Sequence, residues 1–404
     1  MVVSVMAMSG GLILALVALA FWIGVLALRG GFWRADQRLG DGPAGRDDWP
    51  DVVCVIPARN EVPTIGGCVA SLTDQDYPGR VSVIVVDDNS DDGTGDAAGR
   101  GTKNPDALSV VTGKPLEPGW SGKLWAVRQG LSLAEAVAPD APYVLLTDAD
   151  ITHDSESLRR LVAKADAGRL DLVSLMVRLR CDSFWEKLLI PAFIFFFQKL
   201  YPFPWVNYPG SRTAAAAGGC MLVRRSALKR AGGVDAIRHH LIDDCALAKL
   251  LKKQGSIWLG LSTRVVSERR YQRLSEIWDM VARTAFEQLN HSMPALIGTV
   301  GAMLVAYIVP ILAGLGLLGD GAVVVGLVTW LGLMAVAFGP TLRLYGLSPA
   351  WAALLPVAAA LYTLMTVSSA YRYWRGRGGA WKGRRYDAPA SSLSPSSPPS
   401  SSQG

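Results

Sequence analysis

Four long apolar runs, at residues 9–28, 294–319, 321–341 and 350–371, constrain this chain most. Each approaches or exceeds the roughly 20 residues that a helix needs to cross bilayer hydrocarbon. Between the first and the second lies a stretch, about 50–290, of ordinary mixed composition. A hydrophobic content of 50% and a mean hydropathy of +0.26 over 404 residues are too high for an ordinary soluble enzyme. The expected architecture is an N-terminal transmembrane anchor (1–30), a water-exposed domain (50–290), C-terminal membrane segments (294–372) and a disordered Ser/Pro-rich tail (388–404).

No basic residue precedes Gly10, and Arg29, Arg34 and Arg38 follow the first apolar run. That run therefore reads as an uncleaved anchor with the domain on the cytoplasmic side, not as a signal peptide. The five cysteines (Cys54, Cys68, Cys181, Cys220, Cys245) have no C-x-x-C spacing, which fits a reducing compartment and neither a zinc site nor a disulfide framework. If all three later runs crossed, Arg372, Arg375, Arg377, Lys382, Arg384 and Arg385 would face outside, against the positive-inside tendency. One run is expected not to cross fully, and 294–319, with Pro310 and several glycines, is the candidate for a broken or re-entrant piece. The net charge of +6 gathers at these membrane edges and is read as contact with an anionic phospholipid surface, not with nucleic acid.

From residue 51, short apolar strands at 52–56, 81–86, 108–111 and 143–147 alternate with helical patterns at 61–74, 93–100, 122–137 and 154–167. Apolar strands separated by amphipathic helices predict an α/β domain with a mostly parallel sheet covered on both faces. Ligands on such sheets bind beyond the carboxyl ends of the strands. Polar residues gather there: Pro57 to Glu61, Asp87 to Gly93, and Asp148-Ala149-Asp150. Two carboxylates one residue apart at a strand end can hold Mg²⁺ or Mn²⁺ on a diphosphate, the cation completing its shell with water and phosphate. The acidic run at 87–93 is equally a turn and helix cap, and Lys123 equally a solvated lysine opening a helix.

Four motifs, Val-Ile-Pro-Ala-Arg-Asn-Glu (55–61), Val-Val-Asp-Asp-Asn-Ser-Asp-Asp-Gly-Thr (85–94), Gly-Lys-Leu-Trp-Ala (122–126) and Thr-Asp-Ala-Asp (147–150), in this order and spacing, resemble a family 2 glycosyltransferase with the GT-A fold. With Leu-Ile-Asp-Asp-Cys-Ala-Leu-Ala (241–248) and Trp-Lys-Gly-Arg-Arg-Tyr (381–386), the chain is most similar to the hopene-associated glycosyltransferases of bacteria. The resemblance implies that Pro57, Ala58, Glu61 and Asp88 hold the uridine of a UDP-sugar, with Lys123 near the base or diphosphate. It implies further that Asp148 faces the ribose and the metal and that Asp150 binds the metal. His153 is close enough in sequence to reach the same cation, or else is an exposed histidine at a helix start.

Past residue 170, Gly218, Gly219 and Cys220 end a small-residue loop that lets a substrate approach the backbone, or else a tight turn; the resemblance puts this loop by the donor sugar and acceptor. Asp243 and Asp244 open a helix, where acids are favoured by the dipole, and they match the family's acidic pair with Asp243 in place of the usual Glu. Asp244 then matches the base that takes the acceptor's proton. Of the Gln-x-x-Arg-Trp motif of processive members only Arg283 is present, as a diphosphate contact, which argues for one sugar per acceptor.

The Phe-rich segment 184–205, flanked by Trp185, Lys187, Lys199, Tyr201 and Trp205, reads as an interfacial helix on the bilayer surface, with a buried core helix as the alternative. The expected protein is a multi-pass, metal-dependent inverting transferase of a bacterial cytoplasmic membrane. Its catalytic domain faces the cytoplasm and moves a sugar from a UDP-sugar to a hydroxyl of a membrane lipid, a hopanoid on the resemblance. A polyprenyl phosphate or glycerolipid acceptor, or a non-catalytic sugar-nucleotide-binding membrane protein, is the alternative.

Overall fold

The computed structural model describes residues 10–40, 48–376, 380–381 and 384–385; the tail expected over 388–404 and the start of the anchor lie outside the described residues. The four strands expected over 51–147 form as β1 (Val52–Ala58), β2 (Val81–Asp87), β3 (Leu108–Thr112) and β4 (Tyr143–Thr147). They are joined by β5 (Ile151–Thr152), β6 (Leu170–Arg178), β7 (Cys220–Arg224) and β8 (Ser256–Ser267) in one sheet of order β3-β2-β1-β4-β7-β6-β8-β5. β1 to β4 pair in parallel, β7 runs antiparallel between β4 and β6, and β6 pairs in parallel with β8.

After the N-terminal helix α1 (Gly10–Leu28), the domain helices are α2 (Val62–Thr73), α3 (Thr94–Arg100), α4 (Gly122–Val137), α5 (Ser157–Ala167), α6 (Phe184–Leu200), α7 (Phe203–Asn207), α8 (Arg225–Arg230), α9 (Asp243–Lys252) and α10 (Leu274–Ala282). Side chains of a strand alternate between faces, so Val53 and Val55 join one core with residues of α4 and α9, while Val52, Cys54 and Ile56 join a second with residues of α2 and α5. The expected GT-A architecture, a mostly parallel sheet covered on both faces, is what forms.

Three further helices, α11 (Met293–Gly314), α12 (Asp320–Leu344) and α13 (Pro349–Trp374), are with α1 long and apolar enough to cross a membrane. The segment expected to be broken or re-entrant is instead continuous through 22 residues of α11, with a π turn at Leu304–Ile308. Pro310 offers no N–H to the carbonyl of Ala306 one turn back, and the indole of Trp22 on α1 donates to that carbonyl instead, at 2.8 Å. The freed backbone group is satisfied by another helix, as hydrocarbon demands.

The helix expected to rest on the bilayer surface is buried in protein along most of its length. Ile190 and Ile194 of α6 pack into the sheet-side core, and Leu188, Leu189, Ala192 and Phe195 into a core shared with Trp22, Tyr307, Phe338 and Tyr362. Its ends remain exposed at Phe184 and Leu200. A helix apolar on all sides is one that is packed on all sides, and α6 ties the sheet to the apolar helices.

Candidate active site

The parallel strands β1, β2 and β4 end on one edge, and the antiparallel pairing of β4 with β7 sets Thr147 opposite Cys220. Thr147 Oγ1 donates to the Gly219 carbonyl at 2.7 Å, so the Asp148–Asp150 turn and the Gly218–Cys220 loop adjoin by register. α9 starts against the same loop: the Gly218 N–H donates to Asp244 Oδ2 at 2.9 Å, and the Cys245 N–H to Asp244 Oδ1 at 2.6 Å. A Cβ on Gly218 would stand 3.2 Å from Lys123 Nζ and 3.5 Å from Asp244 Oδ2, so glycine lets these two charged groups meet over bare backbone.

Lys123, in the first turn of α4, sits at the centre. Its Nζ is 2.7 Å from Asp148 Oδ1 and 3.6 Å from Asp243 Oδ2. Against burial, these carboxylates raise its pKa. Burial first, then the carboxylate of Asp243, pushes the Asp244 carboxyl up to about 6, while Lys123 and the two N–H donors pull the other way. A carboxylate poised near neutrality can take and release a proton. Pro57, Lys123, Asp148, Gly218 and Asp243 line one narrow cleft, so the first and second halves of the predicted site converge.

Asp150, the carboxylate expected to bind a metal, is engaged differently. Asp150 Oδ2 accepts from Ser267 Oγ and from Arg269 Nε, each at 3.0 Å, and Arg269 Nη2 lies 2.6 Å from Glu61 Oε1. One guanidinium thus bridges the strand ends of β1 and β4. Arg283 is exposed at the end of α10, and its charge reaches Tyr271, as do those of Arg269, Asp150 and Asp148. Among the described residues no three His, Cys, Asp or Glu side chains cluster to hold a metal. The chain offers at most the paired carboxylates Asp148 and Asp150, each now facing a cationic side chain. That donor set fits a hard cation that takes the rest of its shell from phosphate and water.

The other expected residues fall as follows. Pro57 and Ala58 are buried in β1. Asp88 is fully buried, with Arg59 Nη1 3.9 Å from its Oδ2. Much of the 87–93 run does cap: Asp87 accepts the Ser90 N–H at 2.9 Å and Asp92 the Thr94 N–H at 3.0 Å. His153 is not exposed. It is buried, its Nε2 is 3.1 Å from Thr147 Oγ1, and burial pushes its pKa down to about 4. Arg269 was not foreseen; the one signal for it was the Arg269-Arg270-Tyr271 run closing a long apolar strand.

Residues 53–232 match the family described as glycosyl transferase family 2. This part of the chain is similar to glycosyl transferase family 2 domains, and its fold is GT-A. An N-acetylglucosaminyltransferase of Mesorhizobium japonicum is 50% identical over 13% of this chain and 12% of its own. The probable glycosyltransferase YdaM of Bacillus subtilis is 28% identical over 46% of this chain and 43% of its own. The matches therefore span less than half the length of these relatives. Among solved structures, the mannosyltransferase PcManGT of Pyrobaculum calidifontis, in complex with GDP-Man and Mn²⁺, superposes with a TM-score of 0.52 at 20% identity, covering 90% of this chain and 99% of that one.

Proposed function

We propose that the protein is a membrane-bound, metal-dependent, inverting glycosyltransferase that passes a sugar from a UDP-sugar to a hydroxyl of a membrane lipid. The observation that carries the proposal is the Asp244 carboxylate, held by two backbone N–H groups beside Gly218, next to Lys123 and across from the Asp148 strand end. Binding a nucleotide needs no such base.

In this reading Pro57, Ala58, Glu61 and Asp88 border the nucleoside, and Lys123 and Arg283 contribute positive charge to the diphosphate. Asp148 and Asp150 would hold a divalent cation, which would supply positive charge to the diphosphate. Asp244 takes the proton of the attacking hydroxyl as the new glycosidic bond forms, while Asp243 keeps Lys123 oriented. Gly218, Gly219 and Cys220 leave room for the donor sugar and the acceptor. With only Arg283 kept from the processive motif, one sugar is added per acceptor. In this reading the reaction runs at the cytoplasmic face of a bacterial membrane, which the long apolar helices and the cytoplasmic supply of UDP-sugars support, and a hopanoid acceptor rests on the family resemblance of residues 241–248 and 381–386.

The test is mass spectrometry of total lipids from cells carrying the native protein or Asp244→Asn at equal abundance. Loss of one glycosylated lipid identifies acceptor and sugar together, and its headgroup separates a hopanoid from a polyprenyl phosphate or a glycerolipid. An unchanged lipid profile defeats either the lipid acceptor or Asp244 as the base, and turnover of the nucleotide-sugar with soluble acceptors separates the two.

A further inference from the structure

Among the described residues hydropathy gives four crossings, the last helix being the least apolar. The contacts give a different count. α11 and α12 form a hairpin whose far end is the 315–319 turn, with Gly314 and Gly326 in backbone contact and Ala313, Ala322 and Ala15 of α1 packed together. The start of α11 and the end of α12 therefore lie at the same, near end. There Leu344 and Tyr345 enter the sheet-side core, with Arg178 of β6 5.9 Å from the Tyr345 ring.

α13 begins and ends at this near end. In its first turn Trp351 packs on Phe184 at 5.8 Å. Midway, Tyr362 Oη donates to the Leu189 carbonyl at 2.9 Å. Further on, Trp278 Nε1 donates to Ser368 Oγ at 3.1 Å and the Phe286 N–H to Ser369 Oγ at 3.0 Å. At its last turn Arg372 pairs with Asp279 at 2.7 Å and Tyr373 stacks on His291 at 4.0 Å. A helix rises 1.5 Å per residue, so Trp351 and Tyr373 are about 33 Å apart, close to the thickness of bilayer hydrocarbon. A crossing helix would carry Arg372 to the far side, yet Arg372 meets a carboxylate of α10, two residues before Val281 and shortly before α11 sets out from Met293. Ion pairs such as this do not belong in hydrocarbon.

We infer that α13 does not cross, and that it lies in the leaflet on the side of the sheet domain, which leaves three crossings among the described residues. The face turned from the protein fits that partner: Val357, Leu364, Val367, Tyr371 and Trp374 are each 42–54% exposed and recur at helical spacing. The aromatic pair sits at the end that also carries Arg372 and Arg375, as in-plane helices on anionic lipid do. The charge distribution agrees, since neither residues 1–9 nor the 315–319 turn carries a lysine or arginine. The inference does not depend on the proposed activity.

The experiment uses the full chain with Cys181→Ser, and a single added cysteine at Leu317, Lys103 or Arg375, treated with a membrane-impermeant maleimide before and after permeabilising cells. Expected is that Leu317→Cys reacts from one side, and that Lys103→Cys and Arg375→Cys both react only from the other. Arg375→Cys reacting together with Leu317→Cys overturns the inference. As a second measurement, a fluorescent protein and alkaline phosphatase are fused in turn after Gly404. Fluorescence with silent phosphatase supports three crossings, and active phosphatase without fluorescence gives four.

Discussion

At the scale of single residues, the proposed chemistry concentrates on how charge is balanced around two strand ends. Asp244 must be ionised to accept a proton. Burial and Asp243 push its pKa up to about 6 in the free protein, so kcat/KM should fall by about tenfold per pH unit below that value and level off above it. A pH profile of initial rates that stays flat down to pH 5 removes Asp244 from the role. Asp244→Asn should lower kcat by about 10³-fold, in the range that a general base contributes, while calorimetry with UDP shows an unchanged Kd. Arg269 makes a separate prediction. Its guanidinium occupies Asp150 and Glu61 together, so it competes with a cation for one carboxylate. Arg269→Gln should tighten Mn²⁺ binding in the absence of nucleotide by about fivefold, the worth of a partly exposed ion pair. The free Mn²⁺ signal in electron paramagnetic resonance reads this directly, and equal or weaker binding in the variant excludes the competition.

At the scale of elements, Trp22 and Pro310 show what a sequence hides. Trp22→Phe keeps the ring beside Tyr307 but leaves the Ala306 carbonyl without its indole donor. In apolar surroundings that should cost about 1–2 kcal/mol, seen as a fall of a few degrees in the unfolding temperature of the detergent-solubilised protein; no shift means that the helix satisfies the carbonyl itself. Pro310 read as a break because the donor to the Ala306 carbonyl lies on a helix 284 residues from that carbonyl. β1 to β4 were legible because each is a continuous apolar run closed by polar residues, and the approach of Asp148 to Gly218 was implied only by the family resemblance. The reach of Arg269 was not, since it depends on β5 pairing with β8, and β5 is only two residues long. α6 was ambiguous for a physical reason: a Phe-rich helix meets the same apolar requirement whether lipid or protein surrounds it. Glu186 decides the matter locally. Burial works against its charge, yet N–H groups of Ser183, Tyr271 and Asp182 hold its carboxyl below the usual range.

At the scale of the whole molecule, the sheet domain and the apolar helices share one core and do not behave as separable parts. Leu188, Leu189, Ala192 and Phe195 of α6 and Ile277 of α10 are all nearly inaccessible, and their partners include Trp22, Tyr307, Met334, Phe338 and Met365. Cutting the chain to residues 48–290 removes every one of those partners and opens a contiguous apolar face directly below the proposed site. Patches of this kind drive association in water. The loss reaches the chemistry, because the Tyr271 N–H and Ser183 both tie the start of α6 to the strand exit that carries Arg269. The excised domain should therefore be recovered only as aggregate or in detergent micelles, with UDP affinity reduced at least severalfold relative to the full chain. Size-exclusion chromatography of the fragment without detergent decides the point. A monodisperse, nucleotide-binding monomer would show that the sheet domain folds on its own and that α6 serves only as a tether.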